Sequence, residues 1–477
     1  MKNSSVAPLQ AYMLISLILS IPVVLLNVQY FDDIARTTVG YFGWDRDGRP
    51  LVDLIYKLVS VGDKVSDLYP IPQISSYMIL GYGCYLLSRK LHLSGAFGIL
   101  LTLPILCSPM LLGNTLFRYD SITMALAMFL CVIPFKINTC NSTLRFILSS
   151  VLIGSALCLY QASLSVYIVL AIIFFVSRIV LDRDIFSAFK ELTINAAYTI
   201  TGYVIYLIVT KTLVVMSPAA IDRSALISIN HDGISSFIDA SKLSISILTD
   251  CFDSKLLFTI ALIFISSLIY YILKNTNEIK KTFYISSLSL VFIAASFFFT
   301  FALVSLTKIP AAIPRSFMSF GFFVFGMLYV IYAFGLRKVS IALSAIISIS
   351  MISLNAQALN AVKLVEQTQS NISNMVASSL SESKIKPKDI IVVGKIKMPE
   401  QLPNIYDNAS YVKGLIWMHF DNQFASYLIT YSGFPIGLPD KKIIGTVSKQ
   451  KNKWQPIESN SIYSLYLFNE HAILEFK

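Results

Sequence analysis

Charge is scarce in this chain. Only 14% of its 477 residues are Asp, Glu, Lys or Arg, against about 25% in an ordinary soluble domain. Such a chain has too few charges to cover a surface in water, which excludes a simple soluble globule. The six cysteines contain no CxxC pair, so a structural zinc site has no ligand framework. Cys84, Cys107, Cys131 and Cys158 fall in apolar blocks and Cys140 in a short basic loop. Cys251 alone falls in a segment expected outside the cytoplasm, too few for a disulfide framework there. The four histidines, His92, His231, His419 and His471, form no ligand cluster, and no Walker loop, HExxH or GxSxG occurs. The first apolar run, Ala11 to Leu26 behind Lys2, is followed by no convincing small-residue cleavage site and is expected to be an uncleaved span.

Apolar residues make up 55% of the chain. They come in blocks of roughly 18 to 25, the hydrocarbon thickness of a bilayer in helical residues. Inside lipid a backbone must satisfy its own hydrogen bonds, so the blocks predict helices. The alternating segments of a membrane β-barrel are absent. The expected fold is an all-α polytopic membrane protein with about eleven transmembrane helices, near 10–28, 73–88, 94–112, 119–135, 145–160, 162–179, 193–215, 256–273, 283–305, 316–335 and 339–355. The fifth and sixth abut at Tyr160-Gln161, and one long kinked helix is the alternative there.

Alternate loops carry Arg89 and Lys90; Lys136 and Arg145; Arg178, Arg183 and Lys190; Lys274, Lys280 and Lys281; Arg337 and Lys338. The positive-inside rule puts these loops and the N-terminus in the cytoplasm. An odd number of spans then puts the C-terminus outside. The same bias explains the net charge of +11 without nucleic acid as a partner. The expected division is a transmembrane domain over 1–355, with long outside loops at 29–72 and 216–255, and a small α/β extracytoplasmic domain over 356–477. In the first loop Leu51, Leu54, Ile55, Leu58, Val59, Val65 and Leu68 recur at helical spacing after Pro50, which predicts a helix lying on the membrane or packed on the protein. In the tail, Ile390–Val393 before Gly394 predicts a buried strand. Ser461–Phe468, Asn469-Glu470 and Ala472–Phe476 predict a hairpin.

The chemistry concentrates after the first span, in Tyr30-Phe31-Asp32-Asp33-Ile34-Ala35-Arg36, then Gly40, Trp44 and Gly48-Arg49-Pro50-Leu51. Two adjacent carboxylates at the edge of lipid repel each other and are held above their usual pKa range. They are either a topological flank beside Arg36 or a functional site. Sugar transfer from a polyprenyl phosphate needs a carboxylate to take the acceptor's proton. It also needs cations to hold the leaving phosphate, for which the planar fork of arginine is suited. Asp32 and Asp33 are therefore the candidate catalytic residues, and Arg36, Arg49, Arg118 and Arg315 the candidate phosphate ligands. Trp44, Asp120, Tyr160 and Gln161 are the candidate substrate-binding residues. Each has a plainer alternative: an ion pair for Arg118 and Asp120, an interfacial anchor for Arg315, a helix contact for Tyr160 and Gln161. Of the two DxD triplets, Asp182-Arg183-Asp184 sits in a small cytoplasmic loop without a nucleotide-binding domain. Asp45-Arg46-Asp47 leaves a divalent cation open beside the simpler reading of a solvated turn.

The run Tyr-x-Asp-Asp-x-x-Arg at 30–36, with Gly40, Trp44 and Gly48-Arg49-Pro50-Leu51, resembles the serotype-converting O-antigen glucosyltransferases of bacteriophage-type gene clusters. Arg118-Tyr119-Asp120-Ser121 and Tyr160-Gln161 look like weaker parts of the same pattern. The likeness covers roughly residues 25 to 360 in layout, and the tail looks individual. The resemblance implies a GT-C-like hexosyltransferase of the bacterial inner membrane. Its donor would be an undecaprenyl-phosphate-linked sugar, usually glucose, and its acceptor O-antigen lipopolysaccharide on the periplasmic face. In this resemblance Asp32 and Asp33 match the acidic pair and Arg36 the arginine that follows. Two other functions share the hydropathy, a flippase or transporter of lipid-linked saccharide and an O-antigen polymerase. A transporter is expected to carry ionisable groups in mid-span, whereas these charges gather at one interface.

Overall fold

The computed structural model describes residues 7–139, 141–383, 385–440, 444 and 455–477; Lys2 and Cys140 lie outside them. α1 (Leu9–Leu26) ends on Asn27 in the left-handed conformation, a common way of stopping a helix. The first loop then folds into α2 (Asp33–Val39), a 3-10 turn at Asp45–Asp47, and α3 (Pro50–Val59), with Pro50 in the first turn where its missing N–H costs nothing. Next come α4 (Ile71–Lys90), α5 (Gly95–Cys107), α6 (Pro109–Thr115), α7 (Asp120–Val132), α8 (Ser142–Leu159), α9 (Leu164–Leu181) and α10 (Ile185–Leu213). The second long loop holds α11 (Pro218–Ser224) and α12 (His231–Thr249). α13 (Ser254–Lys274), α14 (Ile279–Ser305), α15 (Phe320–Ala333) and α16 (Arg337–Glu382) complete the bundle.

Eight described helical segments are long and apolar enough to cross a bilayer, or nine if the bent pair α5–α6 counts as one span. The hydropathy blocks suggest eleven, and the difference lies at 73–88, 94–112 and 119–135. α4 is less apolar, and Gln73, Ser76 and Ser88 are buried in its contacts. α5 and α6 meet at 61°, because Pro109 disfavours helical conformation at Ser108, which has ψ 127°. α7 has 13 residues and tightens into a 3-10 turn at Ile133–Lys136, where Pro134 removes a backbone donor. At Tyr160 the chain is extended, so α8 and α9 are separate helices joined by a 3-10 turn at Gln161–Ser163.

α16 has 46 residues, about 70 Å at 1.5 Å per residue and more than twice the hydrocarbon thickness of a bilayer. The expected junction at 355/356 therefore falls inside one continuous helix. Its C-terminal half buries Val362, Val365, Gln369, Ile372, Val376 and Leu380 at spacings of three and four. Beyond it lie β1 (Asp389–Val393), α17 (Leu402–Asn408), α18 (Ala425–Tyr431), β2 (Glu458–Ser459), β3 (Tyr463–Phe468) and β4 (His471–Phe476). The strand order is β1-β4-β3-β2, with β1 parallel to β4 and β3 antiparallel to it. The β3–β4 turn is Asn469-Glu470, with Asn469 at φ 50°, a conformation Asn tolerates better than most residues. The predicted strand and hairpin are both present. The tail packs onto the first loop, α18 against α2 and Trp417 against Phe31. The acidic pair thus lies between the helical bundle and the tail.

Candidate active site

Asp32 and Asp33 are adjacent in sequence and differ in surroundings. Asp33 opens α2 with its side chain fully buried. Its Oδ2 accepts the backbone N–H of Arg118 at 2.8 Å, while Oδ1 is buried without a partner. Burial, reinforced by the charge of Asp32, holds the Asp33 carboxyl well above the usual range. The Asp32 side chain remains 23% exposed and pairs with Arg36, one helical turn on, at 3.3 Å. Burial raises its pKa too, against the pull of Arg36, Arg49 and Arg315. Of the pair, Asp32 is the carboxylate open to solvent.

The four candidate arginines are not equivalent. Arg36 lies 3.7 Å over the Trp44 ring and donates to the Tyr41 carbonyl at 3.3 Å. Trp44 is completely buried, with Tyr56 stacked 4.8 Å away. Its indole N–H donates to Asp120 at 2.9 Å, and Arg49 donates to the same carboxylate oxygen at 2.6 Å. Arg49 also pairs with Asp47 at 3.5 Å and lies 5.9 Å from the Tyr160 ring. Arg118 is spent on the first loop. Its Nε donates to the Val28 carbonyl at 3.0 Å and its guanidinium holds Asp67 and Asn27. Arg315 sits in the 3-10 turn Pro314–Phe317, 4.8 Å over the Phe31 ring and 5.1 Å over Phe117. Among the described residues no carboxylate lies within ion-pair distance of it. Its charge is stabilised by ring faces, which leaves its five N–H donors for an anion.

Tyr160 and Gln161 occupy the break between α8 and α9. The Gln161 amide donates to the carbonyls of Asp47 and Gly48 at 3.1 and 3.0 Å and contacts the Tyr206 hydroxyl at 3.1 Å. It fastens the turn that carries Arg49. Gly48 has φ +73°, and a Cβ there would come within 2.8 Å of the Tyr206 oxygen. Sequence reasoning overlooked Asp53. Its carboxylate accepts the N–H groups of Gly43, Trp44 and Asp45 at 3.0, 3.4 and 2.5 Å and shapes the loop around Trp44. The available signal was an acidic residue three positions before Tyr56 on the inward face of α3. On that helix Val52, Asp53 and Tyr56 are buried while Leu54 and Leu58 are 52% and 72% exposed, so it packs on the protein by one face and keeps an apolar face free.

Asp47 of the first DxD triplet pairs with Arg49 and with Arg223 of α11, which ties the two long loops together. In the other triplet Asp184 caps α10 through the Ser187 N–H, and Arg183 pairs with Glu278. Among the described residues no three His, Cys, Asp or Glu side chains gather as a metal site. Cys84, Cys107, Cys131, Cys158 and Cys251 are buried free thiols.

The chain is 27% identical over 220 residues to a protein of Salmonella phage P22 described as an uncharacterized 55.3 kDa protein in the gtrB 5′ region. That match covers 45% of each chain, so less than half the length of this relative is spanned. No solved structure matches the chain. Residues 21–326 match the family described as Glucosyl transferase GtrII. The match takes in more than half of the chain, including the acidic pair, all four arginines and Gln161, and on that ground this membrane protein belongs to the GtrII glucosyl transferase family.

Proposed function

We propose that the protein moves a single sugar, glucose in the simplest case, from undecaprenyl phosphate to O-antigen at the periplasmic face of the bacterial inner membrane, in a GT-C-like arrangement. Family membership supports glycosyl transfer. The observation that supports a phosphate-linked donor is the reachable Asp32 within the electrostatic reach of Arg315, a cation with no carboxylate of its own. In this reading Asp32 takes the proton of an acceptor hydroxyl. The hydroxyl oxygen bonds to the anomeric carbon as the bond from that carbon to the phosphate oxygen breaks. The phosphate leaves with the bonding electrons, and Arg315, with Arg49 also acting on Asp32, holds the developing charge. Asp120 and Trp44 keep Arg49 in place, and Asp33 anchors the loop through Arg118.

The test is reconstitution. Purified protein in liposomes is given undecaprenyl-phosphate glucose and O-antigen lipopolysaccharide, and the acceptor is followed by mass. Gain of one hexose per repeat unit supports the proposal. Translocation of the lipid-linked sugar without transfer, or joining of whole repeat units, contradicts it.

A further inference from the structure

Phe31, the residue before Asp32, is held by a segment of the tail far from it in sequence. Phe31 has φ 54°, the left-handed region that costs a bulky side chain energy and persists only where its surroundings impose it. Two contacts from the tail impose it here. The Phe31 carbonyl lies 3.0 Å from Nε2 of His419, a side chain only 1% exposed. A carbonyl only accepts, so Nε2 carries the proton and donates. The Phe31 ring packs 3.8 Å from the ring of Trp417, with Arg315 4.8 Å from it. The segment carrying Trp417 and His419 is itself clamped. Gln369 of α16, fully buried, accepts the His419 backbone N–H at 2.6 Å and donates to the Trp417 carbonyl at 3.2 Å. A rigid line therefore runs from α16 through Gln369 to His419 and Trp417, on to Phe31, and so to Asp32.

We infer that His419 and Trp417 are positioning residues for the transfer reaction: the tail completes the active site by fixing the backbone at Phe31, and with it the direction of the Asp32 carboxylate. This rests on Asp32 being the base. Burial pushes the His419 imidazole down to about 4, so near neutral pH it stays uncharged, which suits a group whose task is one fixed hydrogen bond. A residue that sets the geometry of the base acts on the chemical step. Misplacement of a reacting group by about 1 Å can cost on the order of 10²-fold.

The experiment measures kcat and donor KM for His419→Ala, His419→Gln, Trp417→Leu and Asp32→Asn in the reconstituted transfer assay, with protein yield and thermal midpoint alongside. Expected is a fall in kcat on the order of 10²-fold for His419→Ala, with donor KM little changed and the midpoint near that of the unmodified protein. His419→Gln, whose amide can also donate to the Phe31 carbonyl, should recover much of the rate. If His419→Ala does not accumulate, Trp417→Leu carries the same expectation for kcat. Folded His419→Ala or Trp417→Leu protein with undiminished kcat overturns the inference, as does loss of rate in both His419 variants in proportion to lost stability. Normal transfer by Asp32→Asn overturns both the inference and the assignment of the base. Loss of transfer in Asp32→Asn with normal His419→Ala refutes the inference alone.

Discussion

Replacing Arg315 with alanine separates the proposed phosphate site from the fold. No ion pair is broken, because Arg315 has no carboxylate partner among the described residues, so no buried charge is orphaned. What folding loses is the contact with Phe31 and Phe117, about 0.5 to 2 kcal/mol for a cation over ring faces. What the proposed reaction loses is a charge-assisted hydrogen bond to phosphate, about 1.5 to 3 kcal/mol. That corresponds to roughly ten- to 150-fold in k at 1.36 kcal/mol per tenfold. Sugar transfer is measured across donor concentrations, with yield and thermal midpoint recorded. A loss at limiting donor with a nearly unchanged midpoint is expected. If Arg315 also stabilises the leaving phosphate in the transition state, saturating donor restores only part of the rate. Unchanged kinetics at low and high donor would remove Arg315 from the site.

Asp33→Asn is expected to leave transfer largely intact, since an amide oxygen can still accept the Arg118 N–H. It should also alter the pH dependence of stability. A carboxyl whose folded pKa is raised destabilises the fold as pH climbs from its ordinary value, about 3.9, through the raised one. The asparagine variant should therefore gain thermal midpoint relative to the unmodified protein between acid and neutral pH, and parallel midpoints across that range would refute the buried-acid assignment. Arg118→Ala strips the partners from Asp67, Asn27 and the Val28 carbonyl, so it should lower yield and midpoint at least as much as activity; a stable, inactive variant would instead make Arg118 a direct ligand. A reporter fused after Lys477 should be active only outside the cytoplasm; a cytoplasmic signal would contradict the proposed face.

Periodicity made the tail's strand and hairpin legible. Ile390–Val393 is a short buried run, and Asn469-Glu470 is a turn between two strand-like segments. The continuation of α16 past residue 355 was not read from the sequence, although residues 362, 365, 369, 372, 376 and 380 fall at helical spacing. Low hydropathy past residue 355 masks it when the chain is read for membrane spans alone. The two counts of spans differ because hydropathy does not register the break at Ser108-Pro109 or the shortness of α7. The location of the acidic pair could be read from sequence, but the division of labour within it could not. Neighbouring residues point in different directions: Asp33 is buried and accepts the Arg118 backbone N–H from a distant segment, while Asp32 stays partly open. The same holds for the arginines. Their suitability for phosphate is a property of residue type, while their availability depends on partners such as Asp67 and Asp120, which lie 51 and 71 positions away from them. His419 and Trp417 gave no sequence signal, since their partner Phe31 lies in the first loop.

The central claim is that Asp32 accepts the acceptor's proton. Asp32→Asn keeps the size of the side chain and removes that capacity. The measurement is the rate of sugar transfer from undecaprenyl-phosphate glucose to O-antigen by Asp32→Asn and Asp33→Asn proteins at matched, verified levels in the membrane. The account predicts a loss of about 10²- to 10⁴-fold for Asp32→Asn and a small effect for Asp33→Asn. Near-normal transfer by Asp32→Asn, or a larger loss in Asp33→Asn, would contradict it.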